Sequence, residues 1–167
     1  SGTAIDRHGG GPPLKAVAVL KNLAMISVVG TGMVGKLGAA AEIMKAFAAS
    51  GANIIGIIQP VSESCISIII ERSYIKTVLS KLGKLAKRGL IRDAIVYEPV
   101  AAVSIVGHGL KDPEILNSVI GKTSRWSMKS LSWTSTSLST SFILSPDSAT
   151  RFARELHREV VLRWWTS

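Results

Sequence analysis

A ten-residue pattern of this chain occurs twice. Ala24 to Met33 reads AMISVVGTGM and Ala101 to Leu110 reads AAVSIVGHGL, an offset of 77 residues that carries Ser27, Gly30 and Gly32 onto Ser104, Gly107 and Gly109. Ser67-Ile68-Ile69-Ile70 then returns as Ser141-Phe142-Ile143-Leu144 at an offset of 74, so the second copy has lost three residues between its loop and the end of its first helix. Self-similarity at one period means one supersecondary unit built twice. The 167 residues are therefore expected to form two tandem copies of a small domain of about 75 residues each.

Each copy can be read for its elements. Residues 1–13 end in Gly9-Gly10-Gly11-Pro12-Pro13 and read as a linker or tail. Leu14 to Leu20 reads as a strand, Lys21-Asn22 as a turn, and Ala24 to Val29 as a second strand that runs into a glycine-rich loop, Gly30 to Gly38. A helix follows, with Leu37, Ala40, Ala41, Met44, Phe47 and Ala48 on one face and Gly51 as its stop. Asn53 to Gln59 and Cys65 to Glu71 are β-branched runs joined by Pro60-Val61-Ser62-Glu63, a hairpin. Ser73 caps a second helix with Ile75, Val78, Leu79, Leu82 and Leu85 on its apolar face, and Leu90 to Tyr97 is a strand. The order is βαββαβ, the split βαβ of ferredoxin-like domains. An α+β fold follows, of two such domains with antiparallel sheets and helices on one face. The boundaries read as 14–20 for a strand outside the first copy, 21–98 for the first domain and 99–167 for the second. In the second, Ser130 to Ser141 holds nine Ser or Thr in twelve residues where the repeat demands a hairpin, so strands with hydroxyl-rich faces are expected. Ser145-Pro146-Asp147 opens a last helix, with Phe152, Leu156 and Val160 on one face.

Gly30-Thr31-Gly32-Met33-Val34-Gly35 matches G-x-G-x-x-G between a strand and a helix, the dinucleotide-binding spacing. That signature needs an acid about 20 positions on, at the end of the next strand. Here that strand ends in Gln59 and returns through a hairpin. The glycines read as a tight turn into a helix start whose N–H groups favour a small anion, an amino-acid carboxylate included.

Charge and chemistry exclude other classes. There are 20 Lys and Arg against 11 Asp and Glu, a net +9, and seven of the cations lie between Arg72 and Arg92 with no acid among them. One solvated helix face explains these, and a nucleic-acid contact is the alternative. Cys65 is the single cysteine, so it has no disulfide partner in the chain; it reads as a small core hydrophobe in a reducing, cytoplasmic setting. His8, His108 and His157 are far apart without neighbouring Cys or paired acids, so no metal site is expected. No apolar run reaches the roughly 20 residues that span a bilayer. Trp126, Trp133, Trp164 and Trp165 all fall in the second half, and the Trp164-Trp165 pair is expected to dock against a sheet or partner.

Ala24 to Met33, the glycine-marked helix start, Gly51-Ala52-Asn53-Ile54, Gln59, Ser62-Glu63 and Ile66-Ser67 together resemble the regulatory ACT domains of aspartate kinase. The copy beginning Val103-Ser104-Ile105-Val106-Gly107 is similar to the second ACT domain of those enzymes. Leu14-Lys15-Ala16-Val17 also fits, because in that family such a strand precedes the first ACT domain and completes the second. Gly2-Thr3-Ala4-Ile5 is similar to the last residues of the family's kinase domain. The resemblance covers residues 14–162 and implies a feedback sensor. In the family, ACT domains of two chains pair and bind an end-product amino acid, lysine or threonine, which moves the kinase domain toward an inactive arrangement. The chain is then no enzyme by itself. It needs no cofactor, and its partners are an amino-acid effector, a second copy and the kinase domain. A stand-alone ACT-like interaction or transcriptional module, with its basic helix on nucleic acid, is the alternative.

A zwitterion needs donors for its carboxylate and acceptors for its ammonium. Met33, Val34, Gly35, Gly38 and Ala39 offer N–H groups at a helix start, and Asn53 and Ile54 offer backbone groups at a strand edge. Gln59, Ser62 and Glu63 supply polar side chains at the rim. Ile55 stands where many family members carry an acid, which removes the partner of a lysine ammonium and favours threonine or another small effector. In the second copy the loop shortens to Gly109-Leu110-Lys111-Asp112-Pro113, with Ser127 and Ser137 in place of Asn53 and Glu63. That copy is expected to be structural.

Overall fold

Runs of Val, Ile and Ala in 16–29 and 93–106 build the two longest strands, because β-branched chains pack best on a pleated surface. The computed structural model describes residues 12–30, 35–61, 64–125, 131–158 and 162. Its elements run β1 (Ala16–Val29), α1 (Ala39–Ala48), β2 (Ile54–Ile58), β3 (Cys65–Glu71), α2 (Ile75–Lys87), β4 (Asp93–Val106), α3 (Pro113–Arg125), β5 (Ser132–Ser135), β6 (Ser139–Leu144) and α4 (Pro146–Leu156). The chain divides into two compact units, one of Asn22–Val100 (the inserted unit) and one of Ser1–Lys21 with Ala101–Ser167 (the split unit). The fold is α+β and antiparallel, as the βαββαβ order requires.

The inserted unit orders its strands β2-β3-β1-β4. Alternate strand residues point to one face, so Ile26, Val28, Ile66, Ile68 and Ile70 form a core with Ile43 and Phe47 of α1 and Val78 and Leu82 of α2. The split unit orders its strands β1-β4-β6-β5. Its core joins Leu14, Val103, Ile105, Phe142 and Leu144 to Val119 of α3 and to Phe152 and Leu156 of α4, with Phe142 and Phe152 edge to face at 5.1 Å. The hydroxyl-rich hairpin is β5–β6, with Ser135 and Thr140 bonded at 2.8 Å and Trp133 stacked at 6.5 Å on Phe142.

The repeat shows itself in matching hydrogen bonds. Ser27 faces Ser67 in register with hydroxyls 2.8 Å apart, and Ser104 faces Ser141 at 2.7 Å. Gly30 N–H donates to Ser64 C=O as Gly107 N–H donates to Leu138 C=O. Arg92 N–H donates to Val29 C=O at 2.7 Å, and Lys15 N–H to Val106 C=O at 2.8 Å. The strand beside the first repeat strand thus follows it in the inserted unit and precedes it in the split unit.

Four local expectations change. Lys21-Asn22 is no turn; β1 runs through it, and Asn22 (φ 61) takes the left-handed region that an Asn side chain tolerates. The buried face of α1 is Ala39, Ile43, Ala46 and Phe47, while Leu37, Ala40, Ala41 and Ala48 are exposed. Five alanines put apolar residues on every side of that helix, so periodicity cannot locate its stripe. Ser73 does not cap α2; a 3₁₀ turn, Arg72–Tyr74, leads into it, and Val78, Leu82 and Leu85 are buried as expected. Cys65 is half-buried, 3.8 Å from the Ser67 hydroxyl. Residues 1–11, Trp126, Ser127, Val160, Trp164 and Trp165 lie outside the described residues. Gly83 sits inside α2, where glycine costs about 1 kcal/mol relative to alanine, although an added Cβ would meet nothing within 4 Å.

Candidate functional site

The end of β1 and the start of α1 frame the candidate site. α1 begins nine positions after Gly30, whereas α3 begins six after Gly107. The three residues missing from the second copy are therefore missing from this loop. Gly35 (φ 65) and Gly38 (φ 80) adopt left-handed backbone, and Gly38 is the residue from which α1 starts, without a side-chain cap. Ala39 N–H donates to Lys36 C=O and Glu42 N–H to Gly38 C=O, while the N–H groups of Ala40 and Ala41 take no acceptor among the described residues. These donors open a helix of ten residues and favour an anion.

A depression of about 280 Å³ lies here, lined by Gly35, Lys36, Gly38, Ala39, Gln59 and Ile66, among others. Leu37 stands at it with 99% of its surface exposed. Four of the expected effector residues, Gly35, Gly38, Ala39 and Gln59, thus come together. Asn53 and Ile54 do not line it. They sit at the opposite end of β2, roughly 17–20 Å from Gln59 along the strand at about 3.3 Å per residue. Met33, Val34, Ser62 and Glu63 lie outside the described residues. Lys36, Leu37, Ala40 and Ile66 were not among the expected effector residues: Leu37 reads as core from helical spacing, yet it precedes the first helical turn.

β2 is the edge strand of its unit. Its register against β3 shifts between Ile54 and Gly56, which leaves Ile55 as the extra residue of a bulge. On α1, the Glu42 carboxyl is held below the ordinary carboxylate range, first by its 2.8 Å hydrogen bond from the Lys45 ammonium and by that charge, and less by Arg88 at 3.9 Å. It is exposed and belongs to the helix surface.

The matching position in the split unit is filled. The chain forms a 3₁₀ turn, His108–Lys111, in which Gly109 and Leu110 are buried. Gly109 N–H donates to Pro13 C=O at 2.9 Å. In this shortened loop Leu110, the repeat counterpart of Met33, is part of the core of the split unit. Ser137 is exposed in the β5–β6 turn. Among the described residues no three His, Cys, Asp or Glu side chains gather as a metal site, and no helix is long and apolar enough to cross a membrane.

Comparison with known proteins agrees with this architecture. Residues 26–84 match the family model of the ACT domain. The chain is 36% identical over 78 residues to the chloroplastic bifunctional aspartokinase/homoserine dehydrogenase 1 of Arabidopsis thaliana, covering 47% of this chain and 9% of that protein. Its fold is similar to the regulatory subunit of aspartate kinase from Thermus flavus, with a TM-score of 0.78 and 23% identity over 87% of this chain and 97% of that one. It is also similar to Escherichia coli aspartokinase III in complex with lysine and aspartate, with a TM-score of 0.72 and 19% identity over 90% of this chain and 34% of that one. The chain spans 8% to 12% of the length of the first curated relatives it matches. The ACT fold and the resemblance to the regulatory region of aspartate kinase both hold.

Proposed function

We propose that this chain is the regulatory region of an aspartate kinase: it binds an end-product amino acid and passes that binding to a catalytic domain elsewhere in the enzyme. The observation that carries this reading is the depression at the left-handed start of α1, where Gln59 meets a helix start whose Ala40 and Ala41 N–H groups take no acceptor among the described residues. The likeness to regulatory subunits supports it. Threonine is the favoured effector, because Ile55 leaves a lysine ammonium without a carboxylate. Asn53 and Ile54, also assigned to the site, are at the wrong end of β2 to reach it within one chain. Antiparallel pairing of two β2 edges would bring the second copy's Asn53 beside Gln59, since a two-fold axis near Gly56 sets the start of one strand against the end of the other. The split site and the open edge both argue for a homodimer.

Calorimetric titration of the chain with L-threonine and L-lysine tests this. Threonine should bind, and Ile57→Lys, which puts a charge on the half-exposed edge, should give a monomer in sedimentation and weaken that binding at least about tenfold, the loss of one charge-assisted contact or more. Silence from both amino acids, or unchanged affinity in a monomer, sinks the reading. A second reading rests on Lys76, Lys81, Lys84 and Lys87 of α2, which form no ion pair among the described residues. If they contact nucleic acid, DNA should be retarded in a gel at low salt and released as salt rises.

A further inference from the structure

A second groove of about 210 Å³ runs between α2 and the start of β4. It has room for one small metabolite. Leu79, Leu82 and Ile91 make its apolar floor, with Leu82 and Ile91 fully within the core. Gly83 keeps it open. The glycine is unfavourable in the middle of a helix, and no neighbour demands it, since a Cβ there would enter empty space. Local rules broken without a packing reason are expected at functional sites.

The mouth of the groove is defined by charge. Arg92 and Asp93 both line it, and neither is in an ion pair with another described residue. Asp93 accepts the Ala94 N–H on Oδ1 at 2.7 Å, which fixes the carboxylate and leaves Oδ2 for a ligand. A guanidinium and a carboxylate on successive residues above an apolar floor complement a carboxylate and an ammonium that share one carbon bearing an apolar side chain. The geometry points to a second amino-acid site, independent of the one at α1, that takes a free α-amino acid with an aliphatic side chain. Arg92 holds its carboxylate, Asp93 its ammonium, and Leu79, Leu82 and Ile91 receive the side chain.

Amide-shift mapping by NMR on the isotopically labelled chain, titrated with L-leucine, tests this. Signals of 79–86 and 91–94 should move and saturate. The same chain should bind 4-methylpentanoate (no ammonium) and 3-methylbutylamine (no carboxylate) at least about tenfold more weakly, as loss of a charged hydrogen bond predicts. Gly83→Leu fills the groove from a helix position that tolerates leucine and should abolish the shifts. Arg92→Gln and Asp93→Asn, which keep the shape and the Ala94 hydrogen bond, should each weaken binding to a similar degree. None of these changes should alter threonine binding at α1, so the two sites fail separately. Shifts confined to 35–40 and 59, no shifts at all, either truncated probe bound as tightly as leucine, or leucine bound by Gly83→Leu as by the parent chain would each overturn the second site.

Discussion

A Gly107→Ala variant should lose about 3 kcal/mol or more of the stability of the split unit, because the added methyl has no place to go. Its Cβ would lie 2.2 Å from the Pro13 carbonyl oxygen and 2.6 Å from Leu14 Cα. Both obstacles are backbone, so the segment preceding β1 must move bodily away from β4, and Leu14, fully buried, moves with it. The glycine is needed for space alone, since its φ of 167 is extended backbone that any residue adopts. Gly30 repeats the device 77 residues earlier against Arg92 N and Ile91 Cα, at 2.7 and 3.0 Å, and its alanine variant should cost less. All four tryptophans belong to the sequence of the split unit. Urea unfolding followed by tryptophan fluorescence therefore reads that unit, and a Gly107→Ala transition within about 0.5 kcal/mol of the parent would refute the close-packing account.

Phe47→Ala should destabilise the inserted unit by about 3–5 kcal/mol, the range for emptying a fully buried aromatic site. Phe47 is wholly inaccessible in the core that α1 and α2 share with β1 and β3. Leu37→Ala, ten residues earlier and 99% exposed, should leave stability within about 0.5 kcal/mol of the parent while changing effector binding at α1. Urea unfolding followed by far-ultraviolet circular dichroism measures both. The sequence pattern put Leu37 and Phe47 on one helical face. Equal destabilisation by the two variants would restore that face and remove Leu37 from the site.

Most of the fold could be read from spacing. Gly30 and Gly107, Ser27 and Ser104, and Ser67 and Ser141 recur at positions that the sheets place in equivalent pairs, so the repeat carried both the element order and the register. What spacing could not resolve was the direction of short, apolar elements. In α1 alanine lies all round, and burial was settled by which side meets Ile26, Ile66 and Val78. At Lys21-Asn22 the polar residues read as a turn, yet β1 runs on through them, because whether a chain turns back or continues depends on strands that are distant in sequence.

The candidate site divides along the same line. Glycines at 35 and 38 and the helix after them are local features, set by backbone freedom and recoverable from residue order. The meeting of Gln59 with that helix start is non-local: β3 lies between β2 and β1 in the sheet, and their pairing carries Gln59 to the loop and leaves Asn53 at the far end. The groove under Gly83 was invisible for the same reason, since residues 79–83 and 91–93 join only when α2 folds back along β4. The repeated sequence was enough to dictate two copies of one unit, because periodic burial is a short-range code. Which loop stays open, which closes, and which charges share a mouth depended on packing, because those outcomes are decided by what fills the space between elements.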